Sequence, residues 1–546
     1  MNTKLIEEVE RWIAEDPDPT TQQELRRLLE LRDEEVLKSC FAGFLEFGTA
    51  GLRGPLGPGP SRMNRAVVTK TAAGIAQYMK KNSLRSVVIG RDARYGSEDF
   101  TRDTAEIMQG EGFDVFVLPR PLPTPVLAFA VRDLKCDVGI MVTASHNPPQ
   151  DNGYKVYLGG TVNGVRYDGS QIIAPADKEI SREIAQVPPL PTLKRSQGWK
   201  VLDEQIIDKY IRTTAALADA PADLSVVYTA MHGVGTETIE KVFSAAGFSP
   251  LILVAEQAQP DPDFPTVAFP NPEEPGAIDL ALAQARAVKA DLVIANDPDA
   301  DRCAAAIADS SGTWRMLRGD EVGALLGEYI TSTGKKSGVI ANSIVSSSIL
   351  KKIAESHNYP FQETLTGFKW IAKIPNLLFG YEEALGYCVD SHSVNDKDGI
   401  SAALALTQLA LNLKKQGKSI DVFLDEIWSK YGYHATKQIS VRTTSVDDIT
   451  KVLGQIRAHV PKSIGEFSVI KFDDLENPSD GLPPTNGVRF FLEGEIRVII
   501  RPSGTEPKIK CYIEVVRKGE VHTAKREAHT VMDSLDGDLR KLLTSA

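Results

Sequence analysis

The sequence has few cysteines and no long apolar run. Its five cysteines are scattered through 546 residues without a C-x-x-C pair, which argues against a disulfide framework, a zinc ribbon or a dithiol redox site. No stretch approaches the roughly 18 uninterrupted apolar residues that would cross a bilayer. The N-terminal segment MNTKLIEEVERW lacks the basic start and apolar core of a secretory signal. We therefore expect a cytoplasmic protein with reduced cysteines and no membrane partner.

The chain also lacks an excess of positive charge. Acidic residues outnumber basic ones by 73 to 62, which gives a net charge of −11, whereas general nucleic-acid binding needs clustered Lys and Arg. We therefore expect no nucleic-acid partner, and any phosphate should bind in a local pocket. Hydrophobic residues at 42% and charged residues at 25% are ordinary globular values. A chain of this length exceeds one hydrophobic core, so it should form several domains.

Short β-rich runs alternate with helical stretches from Val87 onward, which predicts α/β units around largely parallel sheets. Two helices precede them. Thr21 and Glu24 have the spacing of a capping box, so we predict that the second helix starts there. The proline-rich stretch 187–198 marks a boundary, and strands that look antiparallel begin near Thr436.

These changes of pattern predict four domains, 1–200, 201–317, 318–435 and 436–546. The first three are expected to be α/β domains with mixed, largely parallel sheets. The last is expected to be a smaller α+β domain.

The segment TASHNPPQDNGYKVY places Ser145 and His146 directly after the apolar run Val138 to Val142. That run predicts a buried strand, and ligands of α/β sheets bind at the carboxyl ends of their strands. A plain polar turn rich in Asn, Pro and Gly is the alternative. A serine-hydrolase site is disfavoured, because the chain has no G-x-S-x-G elbow.

The segment DLVIANDPDADR carries Asp297, Asp299 and Asp301 at alternating positions after another predicted strand. Such carboxylates can converge on one hard cation, since Mg²⁺ and Ca²⁺ prefer oxygen ligands. An EF-hand loop is excluded, because its sixth and twelfth positions would be Arg302 and Ala308 instead of Gly and Glu. A solvated acidic turn is the remaining alternative.

The segment RPSGTEPKIK, residues 501–510, gathers one Arg, two hydroxyls, one Gly and two Lys after the strand EIRVII. Its side chains and backbone N–H groups are suited to bind one anion, which predicts a phosphate site. An ordinary hairpin turn would also use Gly and Ser, but not this density of cations.

Three further segments carry weaker signals. FGTAGLRG surrounds Arg53 with glycines, TGFKW carries Lys369, and FGYEEALGY carries Glu382 and Glu383. A carboxylate is a good acceptor for sugar hydroxyls, and a lysine can meet a phosphate or a hydroxyl. Each of these residues has a solvated surface position as its alternative.

Together these segments resemble the α-D-phosphohexomutase family, which includes phosphoglucomutase and phosphomannomutase. The resemblance runs from about Phe47 to Tyr512, and TASHNP, DPDADR and RPSGTEP occur in the family's order. The segments FGTAGLRG, PNPEEPG, TGFKW and EEALGY look closest to the phosphoglucomutase-2 and phosphopentomutase branch. The resemblance implies three α/β domains and a smaller C-terminal domain around a central cleft.

The resemblance also implies roles for the residues that match the family's motifs. Ser145 would carry the phosphoryl group, with Mg²⁺ between its phosphate and the three aspartates. The other matches are Arg53, His146 and Lys155 near the reacting group, Arg302 after the metal loop, Lys369, Glu382 and Glu383 near the sugar, and Arg501, Ser503, Gly504 and Thr505 at the non-reacting phosphate. Either Lys155 or His146 can be the general base on this evidence.

One departure from the family's pattern affects sugar recognition. Many relatives carry E-x-S-G-H in the sugar loop, whereas Glu382 is followed here by Glu383, Ala384, Leu385 and Gly386. The serine and the histidine are absent, which weakens the transfer of the family's hexose-selecting contacts to this chain and leaves the phosphoryl-transfer residues unaffected.

The function implied is a mutase that interconverts glucose 1-phosphate and glucose 6-phosphate through phosphorylated Ser145 and glucose 1,6-bisphosphate. A phosphopentomutase, a phosphomannomutase and a hexose-bisphosphate synthase are alternatives with the same machinery. An inactive sugar-phosphate sensor is an alternative of another class, although the serine, the metal aspartates and the phosphate loop are all intact. Sugar phosphates are the expected partners, and the chain is expected to be a monomer or homodimer. A Ser145 remote from the aspartates would refute all of this.

Overall fold

The protein is described here by a computed structural model. It describes residues 2–544 except 49–50, 220, 222, 335, 444–445 and 504–507. The chain divides into two compact units. The first comprises Met1–Leu317 and Gly386–Leu411, and the second comprises Arg318–Leu385 and Asn412–Ala546.

The elements up to residue 317 belong to the first unit. Its helices are α1 (Thr3–Glu15), α2 (Pro19–Leu31), α3 (Glu34–Cys40), α4 (Arg65–Lys81), α5 (Ser97–Gly110), α6 (Thr124–Asp133), α7 (Ala176–Ala185), α8 (Gln205–Ala215), α9 (Thr236–Ala245) and α10 (Asp279–Val288). Its strands are β1 (Leu52–Pro55), β2 (Ser86–Arg91), β3 (Asp114–Val117), β4 (Val138–Val142), β5 (Asp151–Leu158), β6 (Thr161–Val162), β7 (Val165–Arg166), β8 (Ser170–Gln171), β9 (Lys200–Val201), β10 (Val226–Thr229), β11 (Ile252–Leu253), β12 (Leu292–Ala295), β13 (Ala304–Ala308) and β14 (Trp314–Met316).

The remaining elements follow residue 317. The helices are α11 (Gly319–Ser332), α12 (Ile349–Ser356), α13 (Phe368–Ile371), α14 (Gly399–Lys415), α15 (Ile420–Tyr431), α16 (Val446–Ala458) and α17 (Val521–Thr544). The strands are β15 (Val339–Ser343), β16 (Phe361–Thr364), β17 (Leu377–Glu382), β18 (Gly386–Cys388), β19 (Tyr433–Arg442), β20 (Ser463–Ile464), β21 (Phe467–Asp474), β22 (Val488–Leu492), β23 (Ile496–Pro502) and β24 (Lys508–Arg517).

The first sheet runs in the order β1-β5-β4-β2-β3-β9. β4 pairs in parallel with β2 and antiparallel with β5, and every residue of β4 is buried. A strand covered on both faces needs an uninterrupted apolar sequence, which is why Val138–Val142 carries no alternating polar residues. The predicted strand is therefore confirmed, and Ser145 follows its carboxyl end.

The second sheet runs in the order β11-β10-β12-β13-β14. Its parallel centre, β10 and β12, is fully buried, and β13 returns antiparallel to β12. Asp297 and its neighbours occupy the connection between β12 and β13. The acidic segment thus also starts at the carboxyl end of a central strand.

The second unit contains two different kinds of sheet. β15 pairs in parallel with both β16 and β17. The C-terminal sheet has the order β19-β24-β23-β22-β21-β20 with antiparallel neighbours, and it is followed by α17. The predicted fold class, α/β segments with mixed sheets followed by an α+β segment, is confirmed.

The predicted start of the second helix is wrong. α2 begins at Pro19, and the Asp18 side chain accepts a hydrogen bond from the backbone N–H of Thr20. Asp18 is a strong N-cap residue and proline is favoured in the first turn, so together they take precedence over Thr21. No helix among the described residues is both long and apolar enough to cross a membrane.

Candidate active site

Ser145 lies in a tight loop directly after β4. Its φ of 52° is left-handed, and its backbone N–H donates to Thr143 Oγ1 at 2.9 Å. Its carbonyl accepts from Arg94 Nη2 at 2.7 Å. These contacts hold the peptides on both sides of Ser145. The side chain is 3% exposed and donates from Oγ to Asp297 Oδ2 at 2.7 Å, so the serine and the acidic segment meet as predicted.

Asp297, Asp299 and Asp301 form one buried cluster. One oxygen of each lies within 4.8 Å of one oxygen of the others, and their exposed fractions are 0%, 0% and 1%. Asp297 Oδ1 accepts from the backbone N–H of Arg302 at 3.0 Å, and Asp299 Oδ2 accepts from Thr124 Oγ1 at 2.6 Å. The acidic turn is therefore a buried, hydrogen-bonded cluster, and the alternative of a solvated surface turn is wrong.

Lys155 compensates part of this negative charge. Its ammonium donates to Asp299 Oδ2 and Asp301 Oδ2, both at 2.7 Å. Lys155 lies on β5, which pairs with β4, and its backbone is opposite Met141. Lys397 adds a second ammonium 3.5 Å from Asp301 Oδ2. Two lysines therefore face three carboxylates in the same buried region.

The pKa values of the cluster follow from burial and from these charges. Burial, with repulsion from Asp299 and Asp301, raises the pKa of Asp297 well above its usual value. Burial also acts on Asp299 and Asp301, but the Lys155 ammonium outweighs it and holds their pKa below the usual value. Burial alone would lower the pKa of Lys155, yet these two carboxylates raise it. Lys155 is therefore a cation at neutral pH.

His146 and Arg53 complete the surroundings of Ser145. His146 Nδ1 lies 3.2 Å from Ser145 Oγ. Burial lowers the pKa of His146 well below its usual value, and the charges of Arg302 and Arg53 add to this effect. Its imidazole is therefore neutral at physiological pH. Arg53 Nη1 donates to Asn147 Oδ1 at 3.1 Å in the same loop.

The cluster fits a hard divalent cation. Asp299 Oδ1 and Asp301 Oδ1 are buried and have no hydrogen-bond partner among the described residues. Each carboxylate thus gives one oxygen to Lys155 and keeps the other available. An all-oxygen set of carboxylates and a hydroxyl matches the preference of Mg²⁺. These three aspartates, with Ser145 Oγ beside them, can hold such an ion.

Arg302 lies beside the acidic loop, and the remaining predicted residues lie in the second unit. Arg302 lies 3.9 Å from Glu273 Oε2 and 4.0 Å from Asp297 Oδ2, at the limit of an ion pair. In the second unit, Lys369 lies on α13 and Glu382 ends β17, where it is 8% exposed. Glu383 Oε2 accepts from Ser343 Oγ and Ser346 Oγ, both at 3.1 Å.

The predicted phosphate loop joins two antiparallel strands of the second unit. Arg501 lies on β23 opposite Lys510 of β24. The backbone N–H of Ser503 donates to the Lys508 carbonyl at 2.8 Å. Gly504 and Thr505 lie outside the described residues.

Sequence reasoning missed three residues of the first unit's site. Arg94 contacts the Ser145 loop, Thr124 holds Asp299, and Lys397 faces Asp301. Arg94 follows β2, which lies within the β-rich runs predicted from Val87 onward, so its position after a strand end was a usable signal. Lys397 gave no such signal, because it comes from a distant turn before α14.

Four profiles of one family match most of the chain. They are described as phosphoglucomutase/phosphomannomutase alpha/beta/alpha domain I, matching residues 45–188, domain II, matching 208–312, domain III, matching 318–431, and the C-terminal domain, matching 441–530.

The chain belongs to the phosphoglucomutase/phosphomannomutase family. The predicted resemblance is confirmed, and at the level of the family the chain is related to phosphotransferase mutases. This assignment leaves the sugar open, because the family's description names two sugars.

Curated relatives carry three different sugar names. A probable phosphomannomutase of Haemophilus influenzae is 46% identical over 88% of this chain and 98% of its own length. A phosphopentomutase of Pongo abelii is 36% identical over 94% of this chain and 92% of its own length. A phosphoglucomutase of Staphylococcus haemolyticus is 35% identical over 86% of this chain and 90% of its own length.

Gly233 packs closely against the acidic loop at Pro298 and provides a test of the metal site. A Cβ on Gly233 would lie 2.2 Å from Pro298 Cα and 2.3 Å from its carbonyl oxygen. These are backbone atoms, so Gly233→Ala forces the segment of Gly233 and the acidic loop at Pro298 apart. We predict that the Mg²⁺ affinity of Gly233→Ala, measured by isothermal titration calorimetry, falls at least about tenfold. Loss of the contacts that orient metal-ligating side chains typically has an effect of this size.

Gly537→Ala is the matched control, because a Cβ there meets nothing within 4 Å. Its Mg²⁺ affinity should equal that of the wild type. Equal affinity in Gly233→Ala would contradict the prediction that Mg²⁺ binding depends on the contact between Gly233 and the acidic loop.

Proposed function

We propose that this protein is a phosphosugar mutase that interconverts glucose 1-phosphate and glucose 6-phosphate. The observation that carries the proposal is the 2.7 Å hydrogen bond from Ser145 Oγ to Asp297 Oδ2 inside a buried group of three carboxylates. A hydroxyl beside a site for a divalent cation is the arrangement that a phosphoryl carrier needs. Family membership supports the same reaction class.

The reaction starts from phosphorylated Ser145, since a free serine hydroxyl is a weak nucleophile. The bond from phosphorus to Ser145 Oγ breaks as a bond to a sugar hydroxyl oxygen forms; the hydroxyl proton passes to a base, and Ser145 Oγ takes up a proton as it leaves. The product is glucose 1,6-bisphosphate with free Ser145. Return of the phosphoryl group from the other end of the sugar regenerates phosphorylated Ser145 and releases the isomer.

Positioning and neutralisation of charge dominate the catalysis of phosphoryl transfer. Bound Mg²⁺, held by Asp297, Asp299, Asp301 and the Ser145 phosphate, would supply positive charge at the phosphoryl oxygens. Arg53 lies in contact with the Ser145 loop and would donate to a phosphoryl oxygen. Arg302 would extend this positive region beyond the acidic loop.

His146 is the better candidate for the general base. Lys155 is engaged by two carboxylates that raise its pKa, so its ammonium has no lone pair for a proton. His146 is neutral and lies 3.2 Å from Ser145 Oγ, so it is placed to take the Ser145 hydroxyl proton when the phosphoryl group returns to that oxygen. Lys155 is instead assigned to holding Asp299 and Asp301.

The residues of the second unit are proposed to recognise the sugar phosphate. Arg501 and Ser503, with Gly504 and Thr505 in the same loop, would bind the phosphate that is not reacting. Lys369, Glu382 and Glu383 would meet the sugar. The boundaries near 200, 317 and 435 remain our proposal for a four-domain chain.

A pentose is the second candidate sugar. The sugar loop lacks the serine and histidine that many relatives carry, and a relative covering 94% of the chain is named a phosphopentomutase. A phosphomannomutase or a hexose-bisphosphate synthase would use the same Ser145 and the same acidic loop. A comparison of substrates separates these possibilities.

We predict that Ser145→Ala abolishes mutase turnover, because the phosphoryl carrier is lost, while sugar-phosphate binding persists. Intact-mass spectrometry of the wild type should reveal a species about 80 Da heavier, which disappears on addition of sugar phosphate. Ser503→Ala is the control in the mass measurement: it also replaces a serine by alanine, but it leaves Ser145 in place, so the heavier species should persist. Turnover by Ser145→Ala would exclude this serine as the carrier.

We predict that kcat/KM is highest for glucose 1-phosphate in a comparison with mannose 1-phosphate and ribose 1-phosphate. Each assay contains Mg²⁺ and a trace of hexose bisphosphate. The margin should be about tenfold or more, since a site that pairs with sugar hydroxyls discriminates against altered ones. A higher value for ribose 1-phosphate would make this protein a phosphopentomutase.

We predict that KM for the sugar phosphate falls as the pH rises from 6 to 8. Burial, with the charges of Glu382 and Asp320, raises the pKa of Glu383 to about 7, so its carboxylate ionises across this range. An ionised carboxylate accepts sugar hydroxyls more strongly, which should lower KM about fivefold. In Glu383→Gln this part of the pH dependence should vanish. An identical profile in the variant would place Glu383 away from the sugar.

A further inference from the structure

The guanidinium of Arg94 contacts four carbonyls between Ser145 and Asp151, in the Ser145 loop and at the first residue of β5. Nη2 donates to the carbonyls of Ser145 and Asn147 at 2.7 and 2.6 Å. Nη1 donates to the carbonyls of Pro148 and Asp151 at 2.8 and 3.1 Å. The loop that carries Ser145 is thus wrapped around a single side chain, which is itself only 5% exposed.

We propose that Arg94 is a positioning residue for phosphoryl transfer, which holds the Ser145 loop in its reactive conformation and is itself fixed by the ring of Phe264. This inference rests on the proposed function of Ser145. It assigns to Arg94 no contact with the substrate.

A guanidinium suits this position better than other side chains. Backbone carbonyls only accept hydrogen bonds, and arginine offers five N–H donors in a rigid planar fork. The ammonium of lysine is a single point with three donors, so it cannot reach four carbonyls on two sides of the fork. Arg94→Lys therefore keeps the charge and removes the geometry.

Arg94 is anchored on its other sides. Asp92 lies 3.4 Å from its Nε, and Asp92 Oδ1 accepts from the backbone N–H of Arg94 at 3.0 Å. Asp92 Oδ1 also accepts from Ser97 Oγ at 2.7 Å. The guanidinium is therefore tied to the start of α5 as well as to the Ser145 loop.

Phe264 covers the guanidinium from a different segment. Its ring centroid lies 4.9 Å from Arg94 Cζ, a cation–π distance. Phe264 is 3% exposed and has a φ of 48°. A bulky residue at positive φ is strained, and such strain persists only where the surroundings impose it. The segment after β11 thus reaches Arg94 in an unfavourable backbone conformation.

Ser145 has the same kind of backbone constraint. Its φ of 52° needs support from its neighbours. Two hydrogen bonds provide that support: the Ser145 carbonyl accepts from the Arg94 guanidinium, and the Ser145 N–H donates to Thr143 Oγ1. Release of that carbonyl would allow Ser145 to leave the left-handed region. Its Oγ would then lose the 2.7 Å contact with Asp297, and the phosphoryl group would move with it.

The test uses Arg94→Lys and Phe264→Leu in the full-length protein. Each is phosphorylated on Ser145, mixed with glucose 1-phosphate and Mg²⁺, and quenched within a single turnover. We expect the transfer rate to fall about 100-fold in Arg94→Lys, the scale of a misplacement of about 1 Å. Phe264→Leu should show a smaller loss. KM for glucose 1-phosphate should be unchanged in both.

Arg65→Lys is the matched control. Arg65 donates to Asp103 through Nε at 2.7 Å and Nη2 at 2.8 Å, so its replacement also removes a two-pronged contact in the same unit. It should lower the thermal midpoint comparably and leave the transfer rate unchanged. A transfer rate in Arg94→Lys equal to that of Arg65→Lys would overturn the positioning role.

Two further outcomes are decisive. If Arg94→Lys does not fold, Phe264→Leu decides, and wild-type transfer by Phe264→Leu overturns the inference. If the wild-type protein forms no phosphoserine or transfers nothing from it, the proposed function fails and the positioning role with it. Normal wild-type transfer with slow transfer in the variants supports both.

Discussion

The site of the first unit depends on three carboxylates that share one buried region. Like charges at this separation repel strongly where water is excluded, so the cluster needs compensating cations. Lys155 and Lys397 provide two, each within 3.5 Å of a carboxylate oxygen of the cluster. Asp299 Oδ1 and Asp301 Oδ1, which have no hydrogen-bond partner within the part of the chain that the structure describes, are the oxygens that can hold a further cation. Ser145, Arg53 and the neutral His146 are arranged around this centre of charge.

This electrostatic arrangement separates the roles of side chains that look alike in the sequence. Lys155 and His146 both follow the serine closely and both are plausible bases on composition alone. In the folded chain, carboxylates raise the pKa of the lysine, whereas burial and cations lower the pKa of the histidine. The same low-dielectric surroundings therefore produce one permanent cation and one neutral acceptor.

Much of the fold and of the site could be predicted from local pattern. Apolar runs such as Val138 to Val142 identify strands buried on both faces, and the polar segments that follow them identify ligand-binding ends. The start of α2 was placed wrongly because two capping signals compete within four residues, and Asp18 with Pro19 is stronger than Thr21. The place of Arg94 after a strand end was a usable signal, but its four carbonyl partners could not be predicted, since they lie 51 to 57 positions away in the sequence.

The sequence alone determined the chemistry available to this protein: a serine at a strand end, an acidic triplet, a cationic loop and the family they resemble. These features are local, so short-range spacing is enough to reveal them. Only the tertiary structure decided that Ser145 Oγ meets Asp297, that Lys155 is a cation bound to Asp299 and Asp301, and that Arg94 holds the serine loop. Those outcomes depend on the pairing of strands distant in sequence and on the exclusion of water between them, which no local pattern specifies.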